Sequence, residues 1–133
     1  MAVKNKKLKK STKKQTVVAT GRGKIYVGTT FNNTIVTVTN EKGDVVGWSS
    51  SGKAGFKGTR KSTPYAATLA VESALDQARG VGIKSLDVYI KGPGVGRDAA
   101  LRAVRNSGMG VSMIADVTPI PHNGPRQKKR RRV

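Results

Sequence analysis

Residues 49–62 form a glycine-rich basic stretch whose residue types suit phosphate binding. The stretch holds three glycines and no acidic residue, and its basic groups are Lys53, Lys57, Arg60 and Lys61. It leads into Thr63-Pro64, a pair typical of a helix start, and backbone N–H groups at a helix start attract phosphate. We therefore predict phosphate contacts here. Ser62 is a further candidate contact, and Phe56 is a candidate for stacking on a base.

A second candidate site is the sequence Lys-Gly-Pro-Gly-Val-Gly-Arg at residues 91–97. Because glycines let another backbone approach closely, we take Lys91, Gly94, Gly96 and Arg97 as candidate phosphate contacts. An ordinary flexible connection remains the alternative for both stretches.

Neither stretch has the spacing of a nucleotide-binding loop. Arg60 stands where a P-loop needs its second glycine. Residues 92–97 lack the dinucleotide-binding spacing and the acidic residue about 20 positions further on. The sequence thus predicts no cofactor and no small-molecule substrate.

Both ends of the chain are strongly basic and lack acidic residues. Residues 1–16 carry seven lysines and residues 120–133 carry six basic residues, which together supply +13 of the formal charge of +19. Such blocks repel themselves, whereas a polyanion that releases counterions binds them. We predict a nucleic-acid partner, and a chain divided into a basic tail (1–16), one α/β nucleic-acid-binding domain (17–118) and an extended basic tail (119–133), with both tails disordered on their own. The candidate contacts in the two ends are Lys6, Lys7, Lys9, Lys10, Lys13 and Lys14, and Arg126, Lys128, Lys129, Arg130, Arg131 and Arg132.

Catalysis is not expected of this sequence. It has no cysteine, one histidine and seven dispersed acidic residues, whereas a nuclease needs clustered carboxylates to hold metal ions. We therefore predict no catalytic and no metal site, and we expect His122 to be a contact or a solvated residue and not a base. No apolar run approaches the ~20 residues of a membrane span, so we expect no membrane partner.

The candidate loops must be positioned by a fold with the element order βββαβαβ. Alternating residues and turn signals predict strands at 24–31, 34–40, 45–50, 86–91 and 111–117, and helices at 64–79 and 97–107. The first three strands should form an antiparallel meander, and each strand–helix–strand unit requires parallel pairing. We expect a five-stranded mixed sheet with two helices packed on it. Tyr26 and Trp48 are expected in its core, and Gly80 and Gly82 should end the first helix.

Four stretches closely resemble one family, the eleventh protein of the bacterial-type small ribosomal subunit. They read FNNTIVTVT (31–39), GFKGTRKSTP (55–64), KGPGVGRD (91–98) and DVTPIPHNG (116–124). The resemblance covers residues 21–133, and the two basic ends match the family only in character.

The resemblance implies a ribonuclease-H-like topology without its catalytic acids. It also implies a protein of the small-subunit platform, in a cytoplasmic or organellar ribosome, that bridges several helices of ribosomal RNA. Such a protein helps to form the cleft that holds the Shine-Dalgarno duplex of messenger RNA. Implied neighbours are the seventh, eighteenth and twenty-first small-subunit proteins, with initiation factor three nearby. The matching motifs make Asn32, Asn33, His122 and Asn123 candidate RNA contacts.

Composition by itself leaves one alternative open. An architectural DNA-binding protein of the nucleoid would also combine basic tails with a small core. It would bind duplex DNA in the presence of competing ribosomal RNA.

Overall fold

The computed structural model describes residues 21–133, and the N-terminal basic tail lies outside the described residues. The elements are the strands β1 (Arg22–Thr29), β2 (Thr34–Asn40) and β3 (Val45–Ser50), then helix α1 (Pro64–Val81), strand β4 (Ser85–Lys91), helix α2 (Gly96–Asn106) and strand β5 (Gly110–Asp116). A short 3₁₀ helix, Gly58–Ser62, precedes α1 and was not predicted from the sequence. The order βββαβαβ is confirmed.

The five strands form one mixed sheet in the order β3-β2-β1-β4-β5. Strand β1 pairs antiparallel with β2 and parallel with β4, while β2 pairs antiparallel with β3 and β4 pairs parallel with β5. The expected meander and the expected parallel half are therefore both present.

Strand β1 begins and ends about two residues earlier than the pattern predicted. Thr30 and Phe31, the last two residues of the predicted strand, belong instead to the turn between β1 and β2. Hydrogen bonds between Thr30 and Asn33 close this turn. The Thr30 backbone N–H donates to Asn33 O at 2.9 Å, and the Asn33 backbone N–H donates to Thr30 Oγ1 at 3.1 Å.

Helix α1 begins as predicted, but it runs further than predicted. The Thr63 side chain accepts a hydrogen bond from the Ala66 backbone N–H at 3.3 Å, which is an N-cap contact, and Pro64 occupies the first turn. The prediction that Gly80 ends the helix is wrong, because Gly80 lies inside it. Gly82 ends it, since its φ of 100° is the left-handed conformation that closes a helix.

One face of the sheet carries the core and both helices. The buried residues of the strands, such as Ile25, Val36 and Val88, pack against alanines and Val71 of α1 and against Val104 of α2. Ala66, Ala67, Ala70, Ala74 and Ala78 of α1 are all buried. Because alanine side chains are short, α1 can lie close to the strands.

The opposite face of the sheet carries no helix within residues 21–133, and the two aromatic residues predicted to be buried lie on it. Tyr26 and Trp48 were expected in the core, but Tyr26 is 40% exposed and Trp48 is 51% exposed. Side chains of a strand alternate between its two faces. Ile25 and Val27 point to the helices, so Tyr26 must point away from them.

The described part of the chain has no helix that is long and apolar enough to span a membrane. Residues 21–133 also contain no group of three or more His, Cys, Asp or Glu residues placed to hold a metal ion.

Candidate nucleic-acid interface

Four connections of the fold leave the sheet at one edge. Strands β1, β4 and β5 are parallel, and β3 runs in the same direction because two antiparallel pairings relate it to β1. The carboxyl ends of these four strands therefore share an edge, which we call the carboxyl edge. Residues 30–33, 51–63, 92–95 and the segment from 117 onward leave the sheet there. Ligands of open α/β sheets bind beyond such an edge.

The connection 51–63, here called the basic loop, is folded by its own backbone. The Ser51 N–H donates to Thr34 O at 3.0 Å, and the Phe56 N–H donates to Ser51 O at 3.3 Å, so the loop is anchored on β2 and closed upon itself. The Ser62 hydroxyl donates to Thr59 O at 2.8 Å. These bonds hold the basic side chains of the loop at the start of α1, where the helix dipole is positive.

The cations of the basic loop have no acidic partner in the part of the chain that the structure describes. Lys53, Lys57 and Arg60 are exposed, and Lys61 is half-buried. The described ion pairs join Arg22 to Asp87, Arg79 to Asp76 and Arg97 to Asp116, and none includes a residue of this loop. The charges of Lys57, Arg60 and Lys61 are therefore available to an external anion, whereas the Lys53 ammonium donates to Trp48 O at 3.0 Å.

Phe56 and Lys57 line a shallow depression in the basic loop. The depression has a volume of about 410 Å³ and is also lined by Ala54, Gly55 and Arg60. The ring of Phe56 packs edge-on against Tyr65, with 5.8 Å between the centroids. One wall of the depression is thus an aromatic ring held in place by a second ring, with cations beside it.

The glycines of the second candidate, residues 91–97, are occupied by packing within the protein. A Cβ added to Gly94 would lie 2.5 Å from Thr30 O, and one added to Gly96 would lie 2.6 Å from Thr34 Oγ1. The Gly94 N–H donates to Thr29 Oγ1 at 3.2 Å. The glycines do permit a close backbone approach, but the backbone that approaches is the chain's own β1–β2 hairpin.

Arg97 is engaged in a network that sequence reasoning missed. Its guanidinium donates to Asp116 Oδ2 at 2.8 Å and to Gly92 O at 2.9 Å. This guanidinium, followed by hydrogen bonds from Thr118, holds the pKa of the Asp116 carboxyl well below its usual range. The network ties the start of α2 to the end of β5. Lys91, beside it, is exposed and has no ion pair among the described residues.

The C-terminal segment leaves the carboxyl edge in a fixed direction. The Val117 N–H donates to Ile90 O at 2.8 Å, and Thr118 Oγ1 accepts from the Gly92 N–H at 3.1 Å. Residues 119–133 are exposed throughout, including His122 and Asn123, and Asn123 has a left-handed φ of 61°. The six basic residues from Arg126 to Arg132 are therefore accessible to a partner.

The carboxyl edge thus brings together the candidate contacts of residues 32–33, 53–62 and 91–97 with the root of the C-terminal segment, although Gly94 and Gly96 are buried there. Asn32 and Asn33 occupy the turn after β1, beside the anchor of the basic loop, although Asn33 Oδ1 already accepts from the Thr34 N–H at 2.9 Å. The lysines at positions 6, 7, 9, 10, 13 and 14 lie outside the described residues. Sequence spacing gave no signal that the 30–33 turn and the 92–95 loop touch.

The fold and this edge define a small basic α/β protein of the kind that binds nucleic acid, with 19 basic and 7 acidic side chains in residues 21–133. Comparison with known proteins narrows the class. The sequence profile of the family "Ribosomal protein S11" matches residues 23–132, and this chain belongs to that family.

Three relatives, each named small ribosomal subunit protein uS11, support this assignment. The chain is 53% identical over 133 residues to the one from Christiangramia forsetii, covering both chains completely. It is 54% identical over 127 residues to the one from Borreliella burgdorferi, covering 96% of this chain and 98% of the relative. It is 52% identical over 125 residues to the one from Flavobacterium psychrophilum, covering 94% and 98%. The family is a structural one of the small ribosomal subunit, so the chain is not an enzyme.

Proposed function

We propose that this chain binds small-subunit ribosomal RNA through its carboxyl edge and joins RNA helices that would otherwise repel one another. The same proposal places it on the platform of the subunit, in the cytoplasm or in an organelle. There it helps to form the cleft for the Shine-Dalgarno duplex of messenger RNA. Its neighbours are the seventh, eighteenth and twenty-first small-subunit proteins, with initiation factor three nearby.

The observation that carries this proposal is the exposed, acid-free basic loop at the start of α1. Each phosphate neutralised by a lysine or arginine releases counterions, and this release supplies much of the affinity of proteins for RNA. The loop is internally hydrogen-bonded, so its backbone needs little further ordering on binding. A folded loop of this kind fixes the orientation of the protein on RNA, because phosphate contacts set register.

Bridging of RNA helices follows from having two separate basic surfaces. The basic loop emerges after β3, at one side of the sheet, and the C-terminal segment emerges after β5, at the other side. Three strands lie between them, and neighbouring strands are spaced by roughly 4.8 Å. The two surfaces are thus held about 19 Å apart at their roots, which is enough to contact different RNA backbones.

A charge-matched pair of variants tests the site. Lys57→Ala/Arg60→Ala/Lys61→Ala removes three cations from the carboxyl edge. Lys42→Ala/Lys84→Ala/Arg105→Ala removes three cations from the opposite edge, where the β2–β3 turn and the starts of β4 and β5 lie. Binding to a transcribed small-subunit RNA fragment is measured by fluorescence anisotropy over a series of KCl concentrations.

A plot of log affinity against log salt has a negative slope. We expect the first variant to reduce the magnitude of this slope by about 2 to 3, since each phosphate contact contributes roughly 0.7–0.9. The second variant should change the slope by less than about 1. Equal effects of the two variants would show that only net charge matters and would reject the carboxyl edge as the site.

Bridging and placement need a second experiment. The chain has no cysteine, so a single introduced cysteine is a unique attachment point for a hydroxyl-radical probe. Probes at residue 57 and at residue 128, in reconstituted small subunits, should cleave different RNA helices. Cleavage of the same helix from both positions would reject bridging. Sedimentation with the small subunit should be abolished by ribonuclease, whereas release by deoxyribonuclease would instead favour the nucleoid alternative.

A further inference from the structure

The open face of the sheet, opposite the two helices, carries an aromatic row at its centre. Register pairs Tyr89 with Tyr26, Tyr26 with Thr37, and Thr37 with Trp48, so these side chains form one line across four strands. Tyr26 and Trp48 are 40% and 51% exposed. Tyr89 is half-buried, whereas the exposed aromatic surface of Tyr26 and Trp48 is typical of a contact surface.

The two tyrosines are held as one unit. Their rings stack with centroids 5.2 Å apart and planes inclined by only 14°. On either side of this pair the register places a small residue, Ala115 on β5 and Thr37 on β2. Because these two neighbours are small, we expect the exposed side of the Tyr26 ring to have room for a further planar group.

Trp48 is held at the border between this face and the basic loop. The Lys53 ammonium lies 4.1 Å from the centroid of the indole ring and donates to Trp48 O at 3.0 Å. Gln77 of α1 donates to the same carbonyl at 3.1 Å. The aromatic row therefore ends beside a cation of the basic loop, so the two surfaces are continuous.

The charge of the open face suits a polyanion. The strands place Arg22, Lys24 and Lys91 on this face, and Lys53 lies at its border. Asp87 is the acidic residue of the described strands on this face. Its side chain is largely buried, and its Oδ1 lies 3.8 Å from the Arg22 guanidinium. Aromatic rings flanked by cations are the combination that binds single-stranded nucleic acid, because bases stack on the rings while cations meet the phosphates.

We propose that the open face of the sheet binds single-stranded RNA by stacking unpaired bases on Tyr26, Tyr89 and Trp48. This site goes beyond the phosphate contacts proposed at the carboxyl edge. It recognises a different feature of RNA, because bases in a duplex are already stacked on one another and cannot reach a protein ring. The face would therefore select loops, bulges or unpaired ends.

Trp48 is the one tryptophan of the chain, so its fluorescence reports on this face. The full-length protein is titrated with a single-stranded oligoadenylate of about eight nucleotides, a length within the range of single-strand binding sites. We expect saturable quenching of Trp48 emission. The same oligonucleotide paired with its complement should quench far less.

Substitutions on the row test whether stacking causes the quenching. Tyr26→Leu and Tyr89→Leu should each weaken oligonucleotide binding by about 5- to 150-fold, the range for losing one stacked base. The matched variants Tyr26→Phe and Tyr89→Phe keep the ring and should bind within about 2-fold of the wild-type chain. Circular dichroism and the urea midpoint of each variant confirm that it is folded. If the leucine variants bind as tightly as the phenylalanine variants, the proposal is rejected.

The failure of this inference is distinguishable from the failure of the proposed function. The Lys57→Ala/Arg60→Ala/Lys61→Ala variant retains Lys53 and all three rings, so saturating oligoadenylate should still quench Trp48, at a higher oligonucleotide concentration, while the salt dependence on the ribosomal RNA fragment falls. If this variant loses salt dependence on ribosomal RNA, but oligoadenylate leaves the Trp48 emission of the wild-type chain unchanged, only the stacking face is rejected. If the variant keeps the wild-type salt dependence, and oligoadenylate quenches Trp48 of the wild-type chain, only the carboxyl edge is rejected.

Two other occupants of the face would also overturn the proposal. If removal of residues 1–20 increases acrylamide quenching of Trp48 and leaves oligonucleotide binding unchanged, the N-terminal tail covers the face. If Trp48 emission shifts with protein concentration as the sedimentation mass doubles, a second copy of the chain covers it. Acrylamide accessibility that is high in the free chain, and lost on adding oligoadenylate, supports the proposal.

Discussion

The close packing at the start of α2 gives a sharp prediction for Gly96→Ala. A Cβ at this position would lie 2.6 Å from Thr34 Oγ1 and 2.8 Å from the Cβ of Ala67. Gly96 is also buried, so the new methyl group has no open space to move into. Because both contacts are shorter than real Cβ contacts, α2 must shift away from both the hairpin and α1. Rotation of Thr34 would relieve only the first contact, since the Cβ of Ala67 cannot rotate away.

Two opposing effects determine how much Gly96→Ala changes the free energy of unfolding. Alanine is a better helix former than glycine by about 0.8–1 kcal/mol in a helix interior, and by less at the first helical position. Inserting a methyl group into a packed site costs typically about 1–3 kcal/mol. We therefore expect Gly96→Ala to lower the free energy of unfolding by about 1–2 kcal/mol.

Gly80→Ala is the matched control. Gly80 lies near the end of α1, is exposed, and a Cβ there would meet nothing within 4 Å. The same substitution should raise stability by up to about 1 kcal/mol, since only helix propensity acts. Urea unfolding of both variants, followed by circular dichroism, should give midpoints on opposite sides of the wild-type value. A Gly96→Ala midpoint at or above the wild-type midpoint would refute the packing argument.

Three further predictions concern the cap, the ion pair and the tail. Thr63→Ala should lower the free energy of unfolding by about 0.5–2 kcal/mol because it removes the N-cap of α1, and Thr63→Ser should restore most of the urea midpoint. The Arg97 contact lowers the pKa of Asp116 in the folded state, so its stabilisation is present above the ordinary carboxyl pKa of roughly 3.9 and is lost as pH falls towards the depressed value. The wild-type chain should thus have a higher urea midpoint than Asp116→Asn, by an amount that is constant from pH 7 to 5 and shrinks below pH 4. A difference that stays constant down to pH 3 would contradict this link between ionisation and stability. Deleting residues 126–133 removes six exposed cations and should lower the salt slope of RNA binding by up to about 4 to 5, measured by anisotropy, and an unchanged slope would exclude a phosphate-binding role for the tail.

Local signals in the sequence were sufficient to predict most of the elements of the fold. The bounds of β2 and β3 agree with their predicted residues, because alternation along a strand and turn residues between strands are local features. The cap at Thr63 was also predictable, since threonine followed by proline determines a helix start at short range. The family comparison then agreed with motifs that lie on these same elements.

The faces of the sheet could not be assigned from the sequence. Strand β1 alternates Ile25, Tyr26 and Val27, all of which can be buried, so the pattern does not say which side the helices cover. Placement of Tyr26 and Trp48 in the core was therefore wrong. The roles of Gly94 and Arg97 were hidden for a similar reason, because their partners Thr29 and Asp116 lie far away in the sequence.

The central position of β1 has a consequence for how the protein is made. During synthesis β1 can pair at once with β2, its neighbour in the chain, but its other edge must wait for β4, since Arg22 pairs with Ser85. Until α1 and β4 have left the ribosome that is synthesising them, the apolar face around Ile25 stays uncovered. Such long-range parallel pairing slows folding and exposes the nascent chain to aggregation. We therefore expect the three-stranded meander to be the most aggregation-prone stage of synthesis, until the second half of the sheet covers it.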